Sequence, residues 1–182
     1  MSDPIILRFV ADKSLTSKLI VYFGGALGFS HVGAITFDGY ELGARDDVEQ
    51  SVTGEPGVQR RPEAYARFTN IAELIIPSTA EERTIFWRSL DKEVGKPYSK
   101  NTILGFVLGR NIKDEHPAWD CSTLQAWALL RAGILPRELD DHLRQITPDT
   151  LYAMAFSVKH AREQAMSGAW RPEQPGDRIF GH

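Results

Sequence analysis

The chain has 182 residues and a single cysteine, Cys121. An internal disulfide is therefore excluded, and no oxidising compartment is needed for folding. Long apolar runs are also missing, and no stretch approaches the ~18 residues of a membrane span. The N-terminus has no basic start: Asp3 and Asp12 flank the short, largely apolar run Ile5–Val10, so no secretory signal is read and the cytoplasm is the default expectation. Neither sign of charge is in large excess. The formal net charge is −3 and the only adjacent basic pair is Arg60-Arg61, which argues against a dedicated nucleic-acid surface. There are no internal repeats and no low-complexity tract. Nothing in the pattern calls for a metal or a cofactor. With 42% hydrophobic and 25% charged residues, one globular domain over 1–166 is expected, followed by an irregular tail over 167–182.

Strand and helix signals are mixed along the chain. "IILRFV" reads as a strand and "SLTSKLIVYFGG" (14–25) as a short helix ended by glycines. "HVGAITF-DG-YELGARD" reads as a hairpin turning at Asp38-Gly39, and "TNIAELIIP" as a buried strand closed by Pro77. A helix follows, with Ser78 and Glu81 as its capping-box pair and an end at Gly95. "TILGFVLG" (102–109) is a short apolar turn or loop. Asp120 or Cys121 then opens a strong helix ended by Gly133, and Thr147-Pro148 opens the last one. The fold class is α+β.

Cys121 is the first chemical candidate. A lone cysteine is ordinarily a small core residue. This one stands in the first turn of a helix, where free N–H groups and the helix dipole favour a thiolate and can hold an oxyanion. A nucleophile needs a base among the five histidines. His116, His142 and His160 lie among charges, and His182 is the last residue. His31 differs, because it opens the apolar strand "HVGAI". Its alternative reading is a strand-end histidine satisfied in a core.

"GKPYS", then "WDCSTLQAWALLRAGILPR", resembles the cysteine motif of NlpC-type cell-wall amidases, and "SHVGAITFDGYELGA" is similar to their histidine motif. Here the histidine segment comes first, as in the circularly permuted papain-like branch and, more distantly, the lecithin–retinol acyltransferase relatives. The likeness covers roughly residues 29 to 137. It implies a papain-like fold, in which a small antiparallel sheet carries a packed, nucleophile-bearing helix. It further implies Cys121 as nucleophile, His31 as base and Tyr98 as the tyrosine near the nucleophile, with some 20 residues inserted between Tyr98 and Cys121. The implied activity is a cysteine hydrolase cleaving a peptide or isopeptide bond, as in bacterial or phage peptidoglycan chemistry, with a peptide or cell-wall-derived substrate. An acyltransferase, or a non-catalytic binding module with a decayed site, remains as an alternative.

The resemblance puts Gly43 where relatives carry the residue that orients the imidazole. A two-residue turn at Asp38-Gly39 would pair Phe37 with Tyr40 and set His31 opposite Asp46. His31 would then share an apolar face with Gly33, Ile35, Phe37, Tyr40, Leu42 and Ala44, with Glu41 on the opposite, polar face. On this register the choices are a Cys-His dyad, or Asp46 as the orienting group, with Glu41 the least favoured.

Overall fold

The computed structural model describes residues 4–11, 27–48, 55–64, 68, 70–99, 101 and 118–167. The reading of 14–25 as a helix, the 102–109 segment, His116, His182 and the tail beyond Ser167 lie outside them. The described chain is α+β: a five-stranded antiparallel sheet with helices packed on it. The strands are β1 (Ile5–Ala11), β2 (His31–Ile35), β3 (Tyr40–Arg45), β4 (Gly57–Pro62) and β5 (Asn70–Ile76), in the spatial order β4-β3-β2-β1-β5. The helices are α1 (Ala80–Asp91), α2 (Cys121–Arg131) and α3 (Pro148–Ser167), with a 3₁₀ helix over Arg137–Gln145.

Strand alternation divides the sheet into two unlike faces. On one, the pairs Leu7–Ala34, Phe9–Val32, Ala34–Leu42 and Ala44–Val58 are fully buried or nearly so. Helix α2 packs on this face against β2 and β3, bringing Leu124 and Leu129, while α1 packs on α2 with Phe86 and Leu90 and α3 lies along β5. The second face carries Arg8, His31, Glu41, Arg45, Gln59 and Arg61, all of them buried. Arg8 pairs with Glu63 and Glu73, and Asp47 pairs with both Arg45 and Arg61. This is a buried polar layer, and it carries His31 and Glu41.

Three expectations are corrected. The hairpin between β2 and β3 does not turn in two residues. Ile35 pairs with Glu41 and Ala34 with Leu42, leaving Phe37, Asp38 and Gly39 as a three-residue loop closed by the Thr36 N–H on the Tyr40 carbonyl (2.8 Å). Gly39 takes the left-handed conformation (φ 80) that such a loop needs at its third position. The Thr36 hydroxyl donates to Asp38 (2.5 Å) and Arg60 pairs with the same carboxylate, so Asp38 is held outside the ladder. The slip of one residue exchanges the faces of β3: Leu42 and Ala44 go under the helices, Phe37 is exposed, and Glu41 joins His31. Next, β5 is an edge strand rather than a buried one: Leu74 and Ile76 are buried, whereas Ile71 and Ile75 are exposed. Last, the capping box of α1 is Thr79 with Glu82, one residue beyond the pair read from the sequence.

The start of α3 follows the sequence: Thr147 Oγ accepts the Thr150 N–H (3.2 Å) and Pro148 is the first helical residue. Buried Asp149 in that first turn accepts three main-chain N–H groups, from Leu27 (2.7 Å), Gly28 (3.1 Å) and Phe29 (2.8 Å). Phe29 in turn packs against Phe9 and Tyr152, with ring centroids 5.7 and 5.1 Å away. The approach to β2 is thereby pinned just before His31. Replacing Asp149 with Ala strands three N–H groups and should lower the unfolding free energy by about 2–4 kcal/mol. Thr79→Ala, at an exposed cap, should cost about 1 kcal/mol. Denaturant unfolding of both variants checks this, and equal small losses would contradict the role given to Asp149.

Candidate active site

Asp120 is the N-cap of α2 in extended conformation (φ −93, ψ 170), which makes Cys121 the first helical residue. The Asp120 carboxylate accepts the Ser122 N–H (3.1 Å), the Thr123 N–H (3.0 Å) and the Ser122 hydroxyl (2.9 Å). Two of the N–H groups that could have met an oxyanion are thus spent on the cap. Because α2 packs on β2, Cys121 Sγ lies 4.0 Å from the Ser30 carbonyl oxygen, and the main chain at Val32 bears on it as well. Ser30 and Val32 are the two residues flanking His31. A sequence separation of 91 residues is closed to a contact between the first turn of a helix and the residue that leads into a strand.

His31 Nε2 donates to Glu41 Oε1 at 2.8 Å, with the two side chains 9% and 2% exposed. A carboxylate is acceptor-only, so the bond fixes the Nε2–H tautomer and leaves Nδ1 with the lone pair. Glu41 is therefore the group that holds the imidazole, and the register argument that set it on the opposite face is overturned. Asp46 lies half-buried just past the end of β3; its charge bears on the Tyr98 hydroxyl. Gly43, where the resemblance required an orienting side chain, is two residues from Glu41 on the same face of β3. A Cβ there would have Gly33 Cα (3.4 Å), the Val32 carbonyl oxygen (3.5 Å) and His31 Cε1 (3.8 Å) as its nearest neighbours. The signal that could have found Glu41 was Thr36, whose hydroxyl captures Asp38 and lengthens the turn.

Tyr98 reaches the site despite the long insertion. Its segment pairs with Trp119, through the Ser99 N–H on the Trp119 carbonyl (2.9 Å) and the Trp119 N–H on the Pro97 carbonyl (3.0 Å). Trp119 is held by its ring contact with Trp127 (5.1 Å) and its indole hydrogen bond to Glu93. Two residues later comes Cys121. His142 and His160 are exposed, as their charged surroundings suggested. Among the described residues, no group of three His, Cys, Asp or Glu side chains is arranged to hold a metal ion. Nor, among them, is any helix long and apolar enough to cross a membrane.

Burial governs the electrostatics. It pushes the Cys121 thiol up to about 12, helped by the neighbouring Asp120 carboxylate; the main chain at Val32 and Ser122 and the Arg45 charge pull the other way. The sequence expectation of an easily formed thiolate is reversed, because the helix terminus acts on a sulfur withdrawn from water and beside its own capping anion. His31 is lowered below the usual histidine value by burial, against the opposing effect of its hydrogen bond to Glu41. Tyr98 is held well above its ordinary value by burial and then by Cys121 and Asp120, so it stays a hydroxyl donor. At neutral pH the Cys121 thiol and the His31 imidazole both rest neutral.

No family model matches the chain, and no match was found among curated protein sequences.

The resting state can be checked directly. Ultraviolet thiolate absorbance, taken as the difference between wild type and Cys121→Ser, should stay flat through neutral pH and rise only in alkali. A transition below the ordinary thiol value of about 8.5 would show a preformed thiolate and contradict the electrostatics described.

Proposed function

We propose that the chain is a cysteine hydrolase of papain-like, permuted NlpC-type architecture that cleaves an amide bond in a peptide or isopeptide substrate, with peptidoglycan-derived peptides as the substrate class. The observation that carries this reading is the His31–Glu41 hydrogen bond beside the strand segment that Cys121 touches. A buried histidine needs a partner for structural reasons alone. The use of its far nitrogen for a carboxylate, with a helix-start cysteine against its neighbours, is what an acyl-transfer site requires.

In this mechanism Cys121 gives its thiol proton to His31 Nδ1 as the sulfur attacks the carbonyl carbon. General-base activation during attack replaces a standing ion pair, because both groups rest neutral. The imidazolium is stabilised by Glu41, which stays in place through Nε2. The tetrahedral oxyanion is met by the Cys121 N–H and the Tyr98 hydroxyl, since Asp120 already occupies the next two helix N–H groups. Collapse expels the amine, which takes the proton from His31 and leaves a thioester. Water then attacks the thioester, with Nδ1 accepting its proton, and the acid and free thiol are released.

The reading as a decayed, non-catalytic module drew its support from Gly43. Glu41 removes that support, because the orienting carboxylate is present two residues away on the same face.

Turnover of amide and ester substrates by variants tests the proposal. Cys121→Ala should abolish it. Glu41→Gln should reduce kcat/KM by up to about 10⁴-fold, as loss of the orienting carboxylate does in a triad, whereas Asp46→Asn should act only weakly, through Tyr98. The acid limb of the pH profile should fall below the usual histidine pKa of 6.5, since the lowered pKa keeps the base form as pH drops. Equal activity of Cys121→Ala and wild type would end the hydrolase reading.

A further inference from the structure

Glu41 pairs across the ladder with Ile35, not with His31, so its carboxylate must run along the sheet face to reach the imidazole. The residue it crosses on β2 is Gly33. A Cβ built on Gly33 would fall 2.4 Å from Glu41 Oε1, 2.5 Å from its Cγ and 2.6 Å from its Cδ, distances no real methyl group tolerates. The overlap takes in the Cγ stem of Glu41 as well as its tip, and Glu41 is itself buried, so a methyl group at residue 33 must displace that side chain. Gly33 is not in the left-handed region, so backbone conformation gives no reason for a glycine there. Its neighbour across the ladder, Gly43, behaves differently: a Cβ at that position meets Gly33 Cα at 3.4 Å, the Val32 carbonyl oxygen at 3.5 Å and His31 Cε1 at 3.8 Å, all ordinary contacts.

We infer that Gly33 is a positioning residue that acts through Glu41: its missing side chain is the channel by which the carboxylate reaches His31 Nε2. The role of this channel in turnover rests on the hydrolase reading, but the channel itself does not. Two glycines facing each other across one ladder are then unequal, one indispensable to the His31–Glu41 bond and the other replaceable.

The experiment is a set of variants read by histidine nitrogen NMR, unfolding and turnover. Gly33→Ala should detach Glu41, so that His31 loses the Nε2–H signature of a carboxylate partner and its titration moves further down, as in Glu41→Gln. Turnover should fall as far as it does in Glu41→Gln. Gly43→Ala should keep the wild-type signature, titration and turnover. The stability loss of Gly33→Ala should vanish in a Glu41→Ala background, where the stem that the methyl group would strike is gone. If Gly33→Ala retains the His31 signature, or costs as much stability with Glu41→Ala as without it, the inference is overturned. If the NMR and stability results hold while no variant affects turnover, the channel stands and the hydrolase reading fails.

Discussion

The hydrogen bond between His31 and Glu41 constrains the whole second face of the sheet. Two side chains that prefer water are withdrawn from it, and each supplies the other with a hydrogen-bond partner there. That requirement propagates outward. It needs Glu41 on the face of His31, hence a three-residue loop between β2 and β3, hence Thr36 bonded to Asp38 and Gly39 in its left-handed turn. It needs open space at Gly33 along the path of the carboxylate. Around it the same layer buries Arg45 and Arg61 on Asp47, and Arg8 on Glu63 and Glu73, so that buried charge is met by charge. The apolar face, with Phe9, Leu42 and Leu124, supplies the hydrophobic stabilisation; the polar face supplies a defined geometry.

The helix that brings Cys121 against the main chain flanking His31 is fixed from three sides. Asp120 caps it, Gln125 Nε2 donates to the Leu42 carbonyl (2.9 Å) one residue from Glu41, and Thr123 Oγ bonds the Leu143 carbonyl (3.2 Å). The Gln125 bond ties the helix that Cys121 opens to the strand that carries Glu41. Its amide is fully buried, and its carbonyl oxygen has no partner among the described residues, a cost of about 1–3 kcal/mol carried at this junction. Burial is also what holds the thiol and the imidazole neutral. The same exclusion of water that suppresses the thiolate at rest would strengthen every dipole aimed at a developing charge during reaction.

Much of this was legible in the sequence, and the failures have a common cause. Helix starts were readable where one residue type dominates the local chemistry, as at Thr147-Pro148 and at Asp120-Cys121. His31 and Cys121 were legible as outliers: one polar residue on an apolar strand, one cysteine at a helix terminus. The β2–β3 register was not, because Asp38-Gly39 suits a two-residue and a three-residue loop alike, and the choice fell to a side-chain bond from Thr36. The tidy division into an apolar and a charged face of β3 was real, but the assignment was inverted. Alternation says that two faces differ, while only tertiary structure says which one holds the histidine. A buried polar layer defeats the assumption that the apolar side is the inner one. The half-exposed pattern of β5 was likewise invisible, since a run of Ile, Leu and Ala reads as buried whether or not it lies at a sheet edge.

The central claim is that Cys121 is a nucleophile activated by a histidine that Glu41 holds. Intact-protein mass spectrometry after brief mixing with an activated acyl ester measures this most directly. The account predicts a single acyl adduct on Cys121 that forms and clears in the wild type, and that forms far more slowly in His31→Ala. An adduct forming equally fast in His31→Ala, or acylation spread over lysines with Cys121 untouched, would contradict it.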